Sequence, residues 1–240
     1  MLGLDTLTPV GKWVTEHPRT ARVFEELKID YCCGGGKPLA EVCKAKQLDA
    51  VAVVSRLSDM IATSVEVSQP AWSDISLTDL CDHIESTHHA FLKTELPRLT
   101  QVVEKVASVH GAKYPELLEV RNVFSELRAE LEPHMFKEER ILFPAIRQLE
   151  QSASHPQFPF GTVANPIRMM EHEHDMVGDA LKRIRELTVD FEVPDHACNT
   201  WRVMLDGLQN LESDLHQHIH KENNILFPKA QQLETSRSGI

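Results

Sequence analysis

Residues His134–Pro144 read HMFKEERILFP, and residues His218–Pro228 read HIHKENNILFP. Seven of the eleven positions agree: His, Lys, Glu, Ile, Leu, Phe and Pro. Upstream of each copy, apolar residues recur at alternating steps of four and three, the spacing that keeps side chains on one face of a packed helix. The first stripe is Val120, Phe124, Leu127, Leu131, His134, Glu138, Ile141. The second is Met204, Leu208, Leu211, Leu215, His218, Glu222, Ile225, and each member lies 84 residues after its counterpart. Two helices thus share one register, and in both the apolar face is broken by His-x-x-x-Glu. Residues four apart lie one turn apart on the same face. A glutamate aimed into a helical core is costly unless it is paired, protonated or bound to a cation.

A third stripe, Met170, His174, Val177, Leu181, Ile184, carries one histidine. Counting back 85 residues reaches His89, followed at the same steps by Leu92, Leu96 and Leu99. The neighbouring His88 also fits a face, with Ile84 and Phe91, so the register alone leaves the choice open. The inferred core is His89, His134, Glu138, His174, His218 and Glu222. Four imidazoles and two carboxylates suit two first-row metal ions with carboxylate bridges. Iron, manganese or zinc fit such a set better than calcium or magnesium, which prefer oxygen alone. His216 and His220 fall opposite the stripe, and His83, His110, His155, His172 and His196 lack a partner in the register. Glu130 and Glu173, beside proposed ligands, read first as solvated side chains and second as charges supporting those ligands.

The pattern predicts an all-α chain in three parts. Residues 1–62 hold short helices over Arg19–Leu27, Pro38–Gln47 and Asp49–Ile61, residues 63–74 form a linker, and residues 75–240 form an up-down-up-down four-helix bundle. Its helices are expected near 77–109, 116–150, 167–187 and 197–233, with bends at Pro97 and Pro144. The net charge of −11 argues against nucleic-acid partners. No apolar run approaches the roughly 20 residues of a membrane span. Five cysteines cannot all pair within one chain, and no signal pattern opens it, so a reduced, cytoplasmic protein is expected. Cys32 and Cys33 precede Gly34, Gly35 and Gly36, a composition that predicts a mobile, accessible turn, in which the pair reads either as two packed cysteines or as a candidate redox or iron-transfer site. Cys43, Cys81 and Cys198 are expected as small buried hydrophobes.

The order His, His-x-x-x-Glu, His, His-x-x-x-Glu resembles the hemerythrin-like (HHE) domain over about residues 75–235. Residues 5–60, with ARVFEELKIDYCCGGGKPLAEVC, resemble the small paired-cysteine domain found ahead of such bundles. Together with MEHEHD, the whole chain is similar to the repair-of-iron-centres (RIC) family. The resemblance implies a non-haem centre of two iron ions on the six residues above, with Glu138 and Glu222 bridging, and it selects His89 over His88. It also implies a cytoplasmic homodimer whose clients are iron-sulfur proteins damaged by nitrosative or oxidative stress, repaired by donated iron. Alternatives are a di-iron enzyme reducing nitric oxide or nitrite, and a sensor binding oxygen or nitric oxide. The chain departs from the family in having three glycines after the cysteine pair where two are expected.

Overall fold

The computed structural model describes residues 3–62, 72–154 and 156–237. Most of the expected linker therefore lies outside the described residues, as does His155; Trp72–Asp74 forms a short 3₁₀ turn. The chain is all-α. Its α-helices are α1 (Val10–Glu16), α2 (Thr20–Glu26), α3 (Leu39–Ala45), α4 (Ala50–Ala62), α5 (Leu77–Ile84), α6 (Ala90–His110), α7 (Glu116–Lys137), α8 (Phe143–Gln151), α9 (Ala164–Leu187), α10 (Asn199–Lys221) and α11 (Phe227–Arg237). α6 continues through Pro97.

Two compact units form: Met1–Leu80 with His216–Ile240, and Cys81–Leu215. The first joins the two ends of the chain, a grouping that differs from the sequence division at residues 62 and 75. In it, Pro9 and Pro38 stand just before α1 and α3, where a missing N–H costs nothing. Val10 N donates to Lys37 O and Leu39 N to Thr8 O, each at 3.0 Å, tying the two helix starts together. Val10, Trp13, Val23, Phe24, Leu39 and Leu57 make the core of this unit.

The second unit holds α6, α7, α9 and most of α10. α7 packs against both α6 and α9. The expected stripes are its core: Leu92, Leu96 and Leu99 from α6, Val120, Phe124, Leu127 and Leu131 from α7, and Met170, Val177, Leu181 and Ile184 from α9 are all buried. Met204, Leu208, Leu211 and Leu215 of α10 are buried too.

Among the described residues, three five-residue π-helical turns interrupt the helices, at Glu85–His89, Glu138–Leu142 and Glu222–Leu226. Such turns concentrate at functional sites. For the second and third, the sequence supplies a cause. Pro144 and Pro228 have no N–H to give the carbonyls of Arg140 and Asn224, so an α-helical bond is missing there and the wider turn absorbs the break. No proline accounts for the first turn. The inserted residue also shifts the register. Ile141, expected on the buried stripe, is 46% exposed, and Leu142 is buried instead. Its counterpart Ile225 stays buried at 2% because its turn packs against α1.

Candidate metal centre

In the second unit, the π-turn after α5 brings both His88 and His89 inside. The two then part company. His88 Nδ1 donates to Asp214 Oδ1 at 2.8 Å. His89 turns its Nε2 to Glu138 Oε2, 3.3 Å away. Glu138 is 0% exposed, and its other oxygen, Oε1, lies 3.3 Å from His134 Nε2. His134 Nε2 in turn faces His174 Nε2 at 3.1 Å. Three imidazoles and one carboxylate thus converge in a buried cluster, with each oxygen of Glu138 addressed to a different histidine.

The far side of each ring is also fixed. His89 Nδ1 donates to Glu139 Oε1 at 2.8 Å, and Lys93 Nζ donates to the same oxygen at 2.6 Å. His134 Nδ1 donates to Glu173 Oε2 at 2.8 Å, and Lys137 pairs with the other oxygen of Glu173. An ionised carboxylate only accepts, so both Nδ1 atoms carry a proton, and the neutral form of each ring would offer its Nε2 lone pair to a cation in the cluster. Carboxylates behind metal-binding histidines act in this way. The hydrogen bond from His134, with help from Lys137, outweighs burial and holds Glu173 down at about 2. Burial works to raise Glu139, but the bonds from Lys93 and then His89 prevail, and its carboxyl lies below the usual range. Phe143 stacks on His89, with ring centroids 5.7 Å apart, and closes that side to water.

The first unit repeats half of this arrangement. His218 Nε2 lies 3.2 Å from Glu222 Oε1, and both side chains are buried, Glu222 at 0%. The same π-turn carries Asn224, whose Nδ2 donates to Cys32 O at 2.9 Å and to Tyr31 O at 3.4 Å. His220 Nδ1 donates to Tyr31 O at 3.2 Å, and its Nε2 lies 3.4 Å from Thr15 Oγ1. Burial lowers His220 to about 4, so its ring is neutral near neutral pH. The cysteine turn is therefore pinned to the helix bearing the second His-x-x-x-Glu. Gly11 and Gly35 leave the room for this. A Cβ on either would stand 2.4 or 2.2 Å from Asn224 Oδ1.

Several expectations are corrected here. Cys32 is 5% exposed and Cys33 half-buried, not an open turn. Hydrogen bonding to Cys33, then burial, raise the Cys32 thiol well above its usual range. Cys43 and Cys81 are buried as expected, but Cys198 is exposed, with its sulfur 3.3 Å from His110 Nε2. Glu173 and His220 are buried polar anchors, so of the two readings of Glu173 the supporting one holds and not the solvated one. Glu139 and Asn224 were not signalled at all, since nothing in a helical period separates a carboxylate reaching back to a ring from a solvated one. Glu130 and His172 are exposed, as their positions implied.

The donor set fits a transition metal. Ligands about 2.1 Å from one cation at right angles lie roughly 3.0 Å apart. The spacings here, 3.1 to 3.3 Å, match neighbouring positions around an octahedral ion. Mixed imidazole and carboxylate donors suit iron, manganese or zinc.

Comparison with known proteins bears on which. The hemerythrin HHE cation binding domain matches residues 82–230. A domain of unknown function, DUF542, matches residues 6–61. The chain is 36% identical over 222 residues to the iron-sulfur cluster repair protein YtfE of Edwardsiella ictaluri, covering 92% of this chain and 96% of that one. Against the YtfE of Dickeya chrysanthemi it is 37% identical, covering 92% and 95%. Against that of Escherichia coli O157:H7 it is 35% identical, covering 92% and 96%.

Proposed function

Because the chain belongs to the hemerythrin HHE family, and to the iron-sulfur cluster repair proteins it matches along 92% of its length, we propose that it is a non-haem di-iron protein that restores damaged iron-sulfur clusters by supplying iron. His89, His134, Glu138, His174, His218 and Glu222 would hold two iron ions, with Glu138 and Glu222 as the bridging carboxylates. The observation that carries this reading is Glu138: one buried carboxylate sets Oε1 against His134 and Oε2 against His89, each at 3.3 Å. A carboxylate serving one ion would not need its oxygens divided between two rings. His218 and Glu222 repeat the same pair in the same register, which supports their joining the centre.

Bound there, the iron is the cargo that a damaged cluster lacks. The residues of the chain decide how firmly it is held. Glu139 and Glu173 keep His89 and His134 oriented with Nε2 inward. Lys93 and Lys137 keep those outer carboxylates charged. Protonation of a bridging carboxylate would release one oxygen of the bridge and loosen both ions. The same reading makes the damage oxidative or nitrosative, the clients iron-sulfur proteins, and the working form a cytoplasmic homodimer without nucleic-acid or membrane partners. In support, no described helix is long and apolar enough to cross a membrane, and the net charge of −11 opposes polyanion binding.

The test uses a cluster enzyme inactivated by peroxide or nitric oxide. Iron-loaded protein should restore its activity faster than an equal amount of free Fe²⁺ under an iron chelator. Recovery no faster than with free iron, or equal recovery with Glu138→Gln, overturns the reading.

A further inference from the structure

The turn at Asp30–Gly34 contains a second set of metal-binding atoms, outside the His/Glu set. Asp30, Cys32 and Cys33 each offer one ligand atom, and the three atoms lie within 4.8 Å of one another. Cys32 Sγ is 3.2 Å from Asp30 Oδ1 and 4.0 Å from Cys33 Sγ. A cation about 2.3 Å from each sulfur and about 2.1 Å from the oxygen would see the two sulfurs roughly 120° apart and the Cys32–Asp30 pair roughly 95° apart. Both angles fall within the range of a distorted tetrahedral site. The sulfurs also stand about twice a disulfide bond length apart, so the pair is spread as for a shared ligand.

The turn is held in this shape before any ligand arrives. Asp30 Oδ1 accepts from Cys32 N at 2.9 Å and from Cys33 N at 3.0 Å, and Oδ2 accepts from Gly34 N at 2.8 Å. The Asn224 and His220 bonds described above fix the carbonyls on the other side. Asp30 is exposed and Cys33 half-buried, while Cys32 is buried. Three protein ligands leave the fourth position of a tetrahedral ion to solvent or to an incoming ligand. Sites closed by four protein ligands are structural, whereas an open position permits exchange. Two thiolates select iron, zinc or cobalt over calcium and magnesium.

We propose that Asp30, Cys32 and Cys33 form an open, thiolate-rich transfer site for a divalent transition-metal ion. Resting on the iron-donation reading above, it takes Fe²⁺ released from the His/Glu centre and offers it to the thiolates of a client. Its support from Asn224 ties it to the π-turn that carries Glu222, two residues away. On binding, each thiol gives its proton to solvent, and no electron is transferred.

The probe is Co²⁺, titrated anaerobically into the reduced full-length protein. Thiolate ligation gives an intense sulfur-to-cobalt absorption in the near ultraviolet, which His and Glu ligands do not produce. The wild type should show this band, and Glu138→Ala should keep it. Cys33→Ser should abolish it, and Asp30→Asn should weaken cobalt binding about 10-fold or more. Far-ultraviolet circular dichroism confirms that each variant is folded, and the half-buried Cys33 is a mild place to substitute. No band in the wild type, or an equal band in Cys33→Ser, overturns the site. If the band is lost in Cys33→Ser but cluster repair proceeds at the wild-type rate, the transfer role is overturned and the iron-donation reading stands. If the band behaves as expected but the wild type repairs no cluster, the iron-donation reading fails and the metal site stands.

Discussion

Replacing Glu138 by glutamine keeps its volume and removes one charge from a place with no exposure to solvent. Two accounts of that carboxylate predict opposite results for the metal-free protein. If Glu138 serves only as an ion-pair partner of His89 and His134, each 3.3 Å away, the substitution leaves buried charge without its partner. Breaking such a pair costs about 3–5 kcal/mol. At about 2–4 °C per kcal/mol for a chain of this size, the melting temperature would fall by roughly 6–20 °C. If Glu138 is a metal ligand, its charge is a burden in the metal-free state. Glutamine should then leave that state within about 1 kcal/mol of wild type, since an isosteric neutral group lifts the desolvation cost. The effect appears on adding iron. A ligand at 100 times its dissociation constant stabilises the folded state by about 2.7 kcal/mol, and the variant should lose most of that increment. Thermal melts of both proteins, with chelator and with excess Fe²⁺, give the four numbers required. A metal-free Glu138→Gln protein melting 6 °C or more below metal-free wild type, with an undiminished response to iron, would refute the metal reading.

Glu139→Gln and Glu173→Gln should each lower iron affinity about 10–100-fold while the fold is retained, as measured by competition with a chelator. An unchanged affinity would mean that the outer carboxylates do not set the rings. Gly35→Ala brings a methyl group to 2.2 Å from Asn224 Oδ1 and 2.6 Å from Tyr31 O, and should cost about 1–3 kcal/mol in denaturant unfolding. Gly36→Ala meets nothing within 4 Å and should change stability by less than about 0.5 kcal/mol, so the third glycine is dispensable to the turn. Leu131→Ala, on the buried stripe before His134, should cost about 2–5 kcal/mol by the same assay.

The helices and the buried His/Glu register were legible because burial imposes a period, and a period survives in the sequence. Phe124, Leu127 and Leu131 point inward for the same reason as His134 and Glu138, so polar interruptions of the stripe stand out. His88 and His89 could not be separated by period, because the π-turn buries both. Side chains that reach across to another helix leave no such trace. Glu139 and Glu173 sit beside Glu138 and His174 at positions that solvated glutamates also occupy, and only the spacing between helices decides that they accept from imidazoles. The cysteine turn was misjudged for a related reason. Three glycines suggested freedom, yet Gly35 lacks a side chain to make room for Asn224, a partner 189 positions further along the chain. Ile141 shows the limit of register itself: a single inserted residue at Glu138–Leu142 exchanged it with Leu142.

The unit that holds the cysteine turn is made from both ends of the chain, Met1–Leu80 and His216–Ile240. This has a consequence for the order of synthesis. Asn224 lies 192 positions after Cys32, so at about 5–20 residues per second the thiols wait roughly 10–40 s on the ribosome for the side chain that anchors them. The contiguous unit, Cys81–Leu215, has all of its residues before that wait ends. A message cut short before codon 216 would therefore leave the paired thiols without Asn224 and His220, unanchored and open to oxidation.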